Sequence, residues 1–320
     1  MKPSILTKSW DVLKKSGSEF VSDDCPKLGA SLSYYTIFSL PPLLIIIISV
    51  CGFFFGPDAV RGEIYGQINN LVGKESALQI QDMIKNAALS NNNVFATIVG
   101  IVSLVLGASG VFSEVQDSVN KIWGLKAKPN RGIWRLIINR LISFSMVVVM
   151  GFLLLVSLIL NAVVDVFSSH IQKILPNLST VIVYVINNLV VIAITTSLFT
   201  VIFRTLPDGK VRWKDAIIGS LFTTILFILG KLAIGAYLGN SDIASAYGAA
   251  GSLIIILLWV YYSSMILYFG AEFTKVYAYS YGGKIIPNDY AVYSKTKEVE
   301  KEKIEKSEEP KADSAKKKSA

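Results

Sequence analysis

The sequence predicts an all-α polytopic membrane protein with six transmembrane helices and short amphipathic interfacial helices. Six stretches, each of 20 to 25 residues, contain only one charged residue between them, Lys231. A helix rises about 1.5 Å per residue, so about 20 apolar residues cross a hydrocarbon core of about 30 Å. The mean hydropathy of +0.52 agrees with this class. The predicted spans are 31–55, 94–113, 141–164, 180–203, 216–238 and 249–271.

The basic residues are unevenly distributed over the predicted loops. The two terminal segments and the loops after the second and fourth spans hold 26 Lys and Arg residues, whereas the alternate loops hold four. The positive-inside rule therefore predicts that both termini are cytoplasmic. The net charge of +8 is then a topology signal that also attracts anionic lipids at the cytoplasmic face. It does not indicate a nucleic-acid partner.

Three regions follow from this pattern. Residues 1–28 read as a cytoplasmic amphipathic helix ending near Pro26, residues 29–280 as the six-helix membrane domain, and residues 281–320 as a charged cytoplasmic tail. The tail is rich in Lys and Glu from about residue 294 and is predicted to be disordered.

The connections before and after the second span also carry helical patterns. Periodic apolar residues in the outer loop 56–93, such as Ile64, Leu78 and Ile84, predict two short helices on the membrane surface. Val115 and Val119 continue the second span as an amphipathic helix that Gly124 can cap. The second span is therefore predicted to continue as a helix into the next loop.

The first span contains an unusual pair, Pro41 and Pro42, preceded by several hydroxyl groups. Two prolines remove two backbone donors and clash with preceding carbonyls, so we expect a kinked or interrupted helix. In a membrane, an interrupted helix is tolerated where its freed backbone groups are covered by protein or line a water-filled cavity. Hydroxyls of Tyr34, Tyr35 and neighbouring Ser and Thr residues could bind the freed backbone groups. A purely structural kink is the alternative.

The last span begins and continues with two further patterns. Small residues in Tyr247-Gly248-Ala249-Ala250-Gly251-Ser252 favour close helix packing. Tyr261 and Tyr262 fall near mid-membrane, away from the usual aromatic belt. Their position favours hydroxyls that face the bundle and, less directly, a polar path.

The remaining intramembrane polar residues predict two separate layers, because isolated charges in hydrocarbon favour partners. In the outer layer Lys231 pairs with Asp165 or with nearby asparagines. In the inner layer Glu272 ends the sixth helix and pairs with an arginine, about a membrane thickness from Lys231. The alternative is that Lys231 snorkels to the outer headgroups while Glu272 marks a helix end. The complete candidate pathway is Tyr34, Tyr35, Pro41, Pro42, Glu114, Arg140, Asn161, Asp165, Asn187, Asn188, Arg204, Lys231, Tyr261, Tyr262 and Glu272.

Several motifs together resemble the YihY / virulence factor BrkB family of bacterial inner-membrane proteins. They are Ser33-Tyr34-Tyr35-Thr36-Ile37-Phe38-Ser39-Leu40-Pro41-Pro42, Asn120-Lys121-Ile122-Trp123-Gly124, Val211-Arg212-Trp213-Lys214-Asp215, Tyr247-Gly248 with Gly251, Leu258-Trp259 with Tyr261 and Ser263, and Gly270-Ala271-Glu272. The resemblance implies a six-helix plasma-membrane protein linked to serum resistance and envelope phenotypes, with lipid or small-molecule transport suspected. It supplies no catalytic residues.

A ribonuclease label that is often attached to this family does not suit the chain. A metal-dependent nuclease needs clustered His, Asp, Glu or Cys ligands. The chain has one histidine, His170, and no Cys pair at ligand spacing. We expect neither enzymatic activity nor a metal or cofactor.

Two functional readings remain open at this stage. The first is a transporter or flippase for an envelope-related lipid or small amphipathic solute. The second is a non-transporting membrane scaffold or envelope-maintenance factor. The expected partners are the bilayer, its anionic lipids and a possible lipid or small-molecule substrate.

Overall fold

A computed structural model describes residues 5–72, 74–87, 94–128, 145, 179–239 and 250–294. These residues form eight α-helices and four short β-strands. The helices are α1 (Ile5–Ser22), α2 (Cys25–Phe55), α3 (Pro57–Val72), α4 (Lys74–Ala87), α5 (Val94–Ile122), α6 (Ser179–Thr205), α7 (Trp213–Gly239) and α8 (Gly251–Ser280). The strands are β1 (Leu125–Ala127), β2 (Gly209–Lys210), β3 (Ile286–Pro287) and β4 (Ala291–Tyr293).

The helices confirm a multi-pass membrane architecture. Within the described ranges, α2, α6, α7 and α8 are long and apolar enough to cross a membrane. Six spans are not confirmed. Helix α5, over the second predicted span, is not among these four helices, and the third predicted span, 141–164, lies outside the described residues except for Ser145. The charged tail from 295 onward and the first three residues of the Tyr247–Ser252 motif lie outside them as well.

The N-terminal amphipathic helix is present, but it ends at Ser22 rather than near Pro26. Asp24 adopts a left-handed conformation with φ 56°, which turns the chain between α1 and α2. Pro26 then lies in the first turn of α2, where its missing N–H would have no helical partner. The proline therefore begins the next helix instead of ending the first one.

The first span is not interrupted, because α2 is one helix through both Pro41 and Pro42. A kink at the prolines, the other form of the expectation, stays a prediction. Its neighbour α5 presents glycines at this level. A Cβ on Gly107 would lie 2.9 Å from Pro42 Cγ, and one on Gly110 would lie 2.7 Å from Ser39 Oγ. The close approach of α5 covers the proline segment with protein, which is how membrane helices tolerate proline.

The two short helices predicted between the first two spans are confirmed as α3 and α4. They pack on α2 through a buried apolar face that includes Val60, Ile64, Ile80 and Ile84. Leu78, which we expected on the apolar face of α4, is instead 43% exposed. The actual face follows Ala77, Ile80 and Ile84 at the spacing of three and four residues that places side chains on one side of a helix.

The residues of the second predicted span and of its amphipathic continuation form one helix, α5, as predicted. Val115, Val119 and Ile122 are buried near its C-terminal end. Gly124 follows with φ 63°, a conformation that glycine adopts without steric cost. The chain then turns directly into β1.

Short antiparallel strand pairs connect the loops at one end of the bundle. β1 pairs with β4, with Lys126 opposite Val292, and β2 pairs with β3, with Lys210 opposite Ile286. The segment that follows α8 is therefore bound to the loops that follow α5 and α6. We call this part of the molecule the basic end, and define it as residues 123–128, 205–215 and 281–294 with the adjoining ends of α1, α2 and α8.

Helices α7 and α8 pack in close contact through two reciprocal pairs of glycine and threonine. A Cβ on Gly219 would lie 1.9 Å from Thr274 Oγ1, and a Cβ on Gly270 would lie 2.0 Å from Thr223 Oγ1. Each threonine hydroxyl donates to the carbonyl of the preceding turn, Thr223 to Gly219 O and Thr274 to Gly270 O, both at 2.7 Å. Small residues thus allow close approach of the two backbones, as is typical of membrane helices.

Candidate functional site

A cluster of charged residues joins α1, α2 and α8 at the basic end. Lys275 Nζ lies 2.8 Å from Glu19 Oε2, 3.1 Å from Asp23 Oδ2 and 3.2 Å from Glu272 Oε2. The Glu272 side chain is fully buried, and Lys275 is 18% exposed. At its other oxygen, Glu272 Oε1 accepts from the Cys25 thiol at 3.9 Å. We call Lys275, Glu19, Asp23 and Glu272 the Lys275 cluster.

The Lys275 cluster contains more carboxylates than cations. Three carboxylates share one ammonium group, and an opposite charge at about 4 Å contributes about 4 kcal/mol at an effective dielectric constant of 20. Removing one partner of a buried ion pair costs about 3–5 kcal/mol, because the other charge stays buried without compensation. Lys275 therefore holds the first and last described helices together electrostatically.

A cavity of about 700 Å³ opens beside this cluster. It lies between the turn that joins α1 to α2, the end of α5 with β1, the end of α8, and the turn after α6. Its charged wall residues carry both signs: Asp23, Asp117, Asp208, Lys121, Lys126 and Lys275. We call this space the basic-end cavity.

Buried hydrogen bonds fix the wall on the side of α5. Gln116 Nε2 donates to Asp208 Oδ1 at 3.1 Å, and the Asp208 amide donates to Asn120 Oδ1 at 2.7 Å. Asn288 N donates to Asp208 O at 2.9 Å, which links the segment after α8 to the same turn. Buried polar groups that are satisfied in this way hold a wall rigid, because each broken bond leaves an unpaired group.

A buried tryptophan also orders this end of the molecule. The Trp123 side chain is 2% exposed, and its Nε1 donates to Ala271 O at 3.1 Å. The bond joins the end of α5 to α8 one residue before Glu272. Trp123 belongs to the motif Asn120-Lys121-Ile122-Trp123-Gly124, but the sequence did not predict its contact with α8.

The predicted pathway residues that the structure describes lie at several separate places in the fold. Tyr34 and Tyr35 are 62% and 45% exposed, and the Tyr34 ring contacts the Phe38 ring at 5.0 Å between centroids. They face away from the bundle core, contrary to a role in binding freed backbone groups inside it. Pro41 and Pro42 are half-buried against α5.

The other predicted residues are scattered over several helices. Tyr261 and Tyr262 are half-buried, with Tyr261 beside Gly29 and Tyr262 beside Gly230. The Arg204 guanidinium lies 5.3 Å from the centre of the Trp213 ring. Glu114 is half-buried on α5 and Asn188 is exposed on α6. The side chains of Asn187, Arg140, Asn161 and Asp165 lie outside the described part of the chain.

Glu272 differs from its prediction in three respects. It lies within α8, eight residues before the end at Ser280, and it pairs with Lys275 rather than with an arginine. Its distance from Lys231 is also shorter than expected. On α8, Glu272 lies midway between Gly270, which faces Thr223 of α7, and Thr274, which faces Gly219 of α7. Glu272 is therefore level with the middle of the segment from Gly219 to Thr223, and Lys231 lies about ten residues farther along α7 from that point. That is about 15 Å along the helix axis, or half a membrane thickness.

Among the cluster members that the sequence analysis did not single out, Lys275 alone has a recognisable signal. Lys275 follows Glu272 by three residues, the spacing of neighbours on one helix face. The predicted sixth span ends at residue 271, so Lys275 falls just beyond it, among the basic residues assigned to the cytoplasmic side. Within the described residues, no group of three or more His, Cys, Asp or Glu side chains is arranged to hold a metal ion.

Comparison with known proteins gives a family match. The model of the family described as virulence factor BrkB matches residues 17–289, and the chain therefore belongs to this family. No solved structure matches.

Among curated proteins, the chain is similar to UPF0761 membrane proteins. It is 27% identical to that of Saccharophagus degradans over 272 residues, which cover 81% of this chain and 58% of the relative. It is 25% identical to that of Pseudomonas paraeruginosa over 255 residues (79% and 59%) and 28% identical to that of Ralstonia nicotianae over 251 residues (78% and 54%). The chain thus matches less than two thirds of the length of these relatives.

Proposed function

We propose that this member of the virulence factor BrkB family transports or flips an envelope-related lipid or small amphipathic solute across a bacterial plasma membrane. The basic end faces the cytoplasm in this proposal, in line with the distribution of Lys and Arg. The protein acts without enzymatic chemistry, and its partners are the bilayer and the transported molecule. The observation that supports the proposal best is the basic-end cavity beside the Lys275 cluster.

The position of the cluster supports a role in transport. Glu272 and Lys275 lie on α8, in a segment from Leu253 to Ser280 that is long and apolar enough to span a membrane. Ionisable residues in such segments are costly and commonly mark the path of a substrate or ion. Two members of the cluster, Asp23 and Lys275, also line the cavity. A polar headgroup entering the cavity would therefore meet the cluster directly.

The scaffold reading has one observation in its favour. Trp10 and Val21 of α1 are 68% and 71% exposed, whereas Val12 on the same helix is 4% exposed. The exposed residues could contact a partner protein or the membrane interface. This second candidate predicts no flux from a folded, reconstituted protein.

A flux measurement separates the two candidates. The purified chain is reconstituted into liposomes that contain fluorescent phospholipids, and the loss of inner-leaflet probe is followed with an impermeant quencher. We expect exchange above empty vesicles. Folded protein that gives no exchange of lipid, and no uptake of small amphipathic solutes under any ion gradient, would contradict transport and favour the scaffold.

Charge changes in the cavity wall test the site. Lys126→Glu reverses one exposed wall charge without removing a buried partner, so we expect folded protein with at least a several-fold change in flux. Lys214→Met is the control, because Lys214 is an exposed lysine at the same end that does not line the cavity. Equal flux in the wild type and both variants would show that the cavity is not on the path.

A further inference from the structure

A second cavity lies at the opposite end of α2 from the Lys275 cluster. α2 begins at Cys25, beside Glu272, and its 31 residues extend about 46 Å before α3 begins. The cavity, of about 420 Å³, lies between the end of α2, α3 and α4. Its apolar wall is formed mainly by five isoleucines: Ile48, Ile64, Ile68, Ile80 and Ile84. We call it the isoleucine cavity.

Polar residues of opposite charge also line this cavity. Arg61 on α3 and Asp82 on α4 lie on its wall together with Gln81. The Arg61 side chain is 53% exposed, and both Gln81 and Asp82 are exposed. The polar groups are thus near solvent, whereas Ile64, Ile80 and Ile84 are buried. The arrangement places an apolar interior behind a polar opening.

Arg61 retains binding capacity for a ligand. Its Nη1 contacts Asp58 Oδ1 at 3.2 Å, but the Asp58 side chain is 96% exposed. Ion pairs this exposed to water contribute little, and a guanidinium has five N–H donors. A phosphate group suits the remaining donors, because arginine binds phosphate through two parallel hydrogen bonds.

We propose that the isoleucine cavity binds one acyl chain of a phospholipid with a zwitterionic headgroup. The lipid phosphate contacts Arg61, and the lipid ammonium contacts Asp82. The volume equals about 14 water molecules at about 30 Å³ each, which suits one hydrocarbon chain and not a whole two-chain lipid. A soluble anion would use Arg61 alone and would leave the isoleucine wall without a partner.

The headgroup is the basis of selectivity in this proposal. An acyl chain that leaves the bilayer for an apolar cavity exchanges one hydrocarbon environment for another, so the chain itself adds little discrimination. Opposite charges on Arg61 and Asp82 complement a headgroup that carries both phosphate and ammonium. A purely anionic headgroup would meet Asp82 with repulsion. The site is independent of the basic-end cavity and of the transport proposal.

Photocrosslinking in vesicles tests the site. The full chain is reconstituted with phosphatidylethanolamine or phosphatidylglycerol bearing a photoreactive group in one acyl chain, and labelled peptides are identified by mass spectrometry. We expect labelling of α3 and α4 that is at least threefold stronger with phosphatidylethanolamine. Asp82→Asn should remove this preference, and Arg61→Gln should lower labelling by both lipids.

A pair of tryptophan variants on α4 provides the matched control. Ile80→Trp fills the cavity and should abolish the labelling of α3 and α4. Leu78→Trp adds the same side chain at a position on α4 that is 43% exposed and does not line the cavity, and should leave the labelling unchanged. Where Ile80→Trp impairs folding, Ile64→Val and Ile68→Ala enlarge the space and should alter which acyl carbon is crosslinked. Labelling that is equal in all variants indicates only surrounding bilayer lipid and would overturn the proposal, as would equal labelling by the two headgroups.

Discussion

Replacing Gly270 by alanine tests the close packing of α7 and α8. The added Cβ would lie 2.0 Å from Thr223 Oγ1, whereas ordinary contacts are 3.4–4 Å. Either the helices separate by more than 1 Å, or Thr223 changes rotamer and loses its 2.7 Å hydrogen bond to Gly219 O. The added volume costs about 1–3 kcal/mol. The hydrogen bond contributes about 0.6 kcal/mol on average in a membrane protein.

The helix preference of alanine offsets part of this loss, by up to about 1 kcal/mol. We therefore expect Gly270→Ala to lower the free energy of unfolding by about 1–3 kcal/mol. The assay is equilibrium unfolding in mixed micelles with increasing denaturing detergent, followed by circular dichroism. Gly235→Ala on α7 is the control, because nothing lies within 4 Å of its added Cβ. It should be neutral or slightly stabilising.

A second substitution isolates the contact. Thr223→Ala removes the two Thr223 atoms nearest to the added Cβ, Oγ1 at 2.0 Å and Cγ2 at 2.7 Å. The double variant should therefore be at least 1 kcal/mol more stable than the sum of the single effects predicts. If Gly270→Ala behaves like Gly235→Ala, or if the two substitutions are additive, the close packing of α7 and α8 described above is wrong.

Three further predictions concern topology, the tail and Lys231. The 26-to-4 distribution of Lys and Arg places both termini in the cytoplasm. In a variant without native cysteines, cysteines introduced at Asn92 and Ser241 should therefore react with an impermeant thiol reagent in spheroplasts. Labelling of a cysteine at Ser314 instead would reverse this orientation. Deletion of 295–320, which holds nine Lys and seven acidic residues, should leave the amount of membrane-inserted protein unchanged, because the segment has too few apolar residues to contribute a core. Lys231 is exposed on α7, which favours the interpretation that its ammonium group snorkels to the outer headgroups. Lys231→Leu should therefore retain both the flux and the amount of protein in the membrane. Loss of flux at a normal amount of protein would instead support an outer polar site.

The sequence predicted features that depend on residues close together in the chain. Uncharged runs identified four helices of membrane-spanning length, and the periodic apolar residues identified α1, α3 and α4. Gly124 marked the end of α5 because glycine accepts positive φ. Each of these signals lies within the helix that it predicts, because the residues that form a helix or end it are neighbours in the chain.

The candidate site depends on contacts across the chain and was largely missed. The partners of Lys275 include Glu19 and Asp23, more than 250 residues earlier, and no sequence spacing connects them. The strands are only two or three residues long, too short for an alternating pattern to reveal them. The continuity of α2 through its prolines could not be predicted from the sequence, because it depends on Gly107 and Gly110 of another helix, which allow α5 to cover the affected backbone.

The strand pairs have a consequence for the order in which the protein is completed during synthesis. β3 and β4 emerge from the ribosome after every described helix. β1, the partner of β4, is made about 166 residues earlier, and β2, the partner of β3, about 77 residues earlier. At a synthesis rate of about 5–20 residues per second, about 8–33 seconds pass between the synthesis of β1 and that of β4. Lys275, the partner of Glu19 and Asp23, is likewise made late. The basic end is therefore the last part of the molecule to close, and until then its loops remain open to the insertion machinery and to proteases.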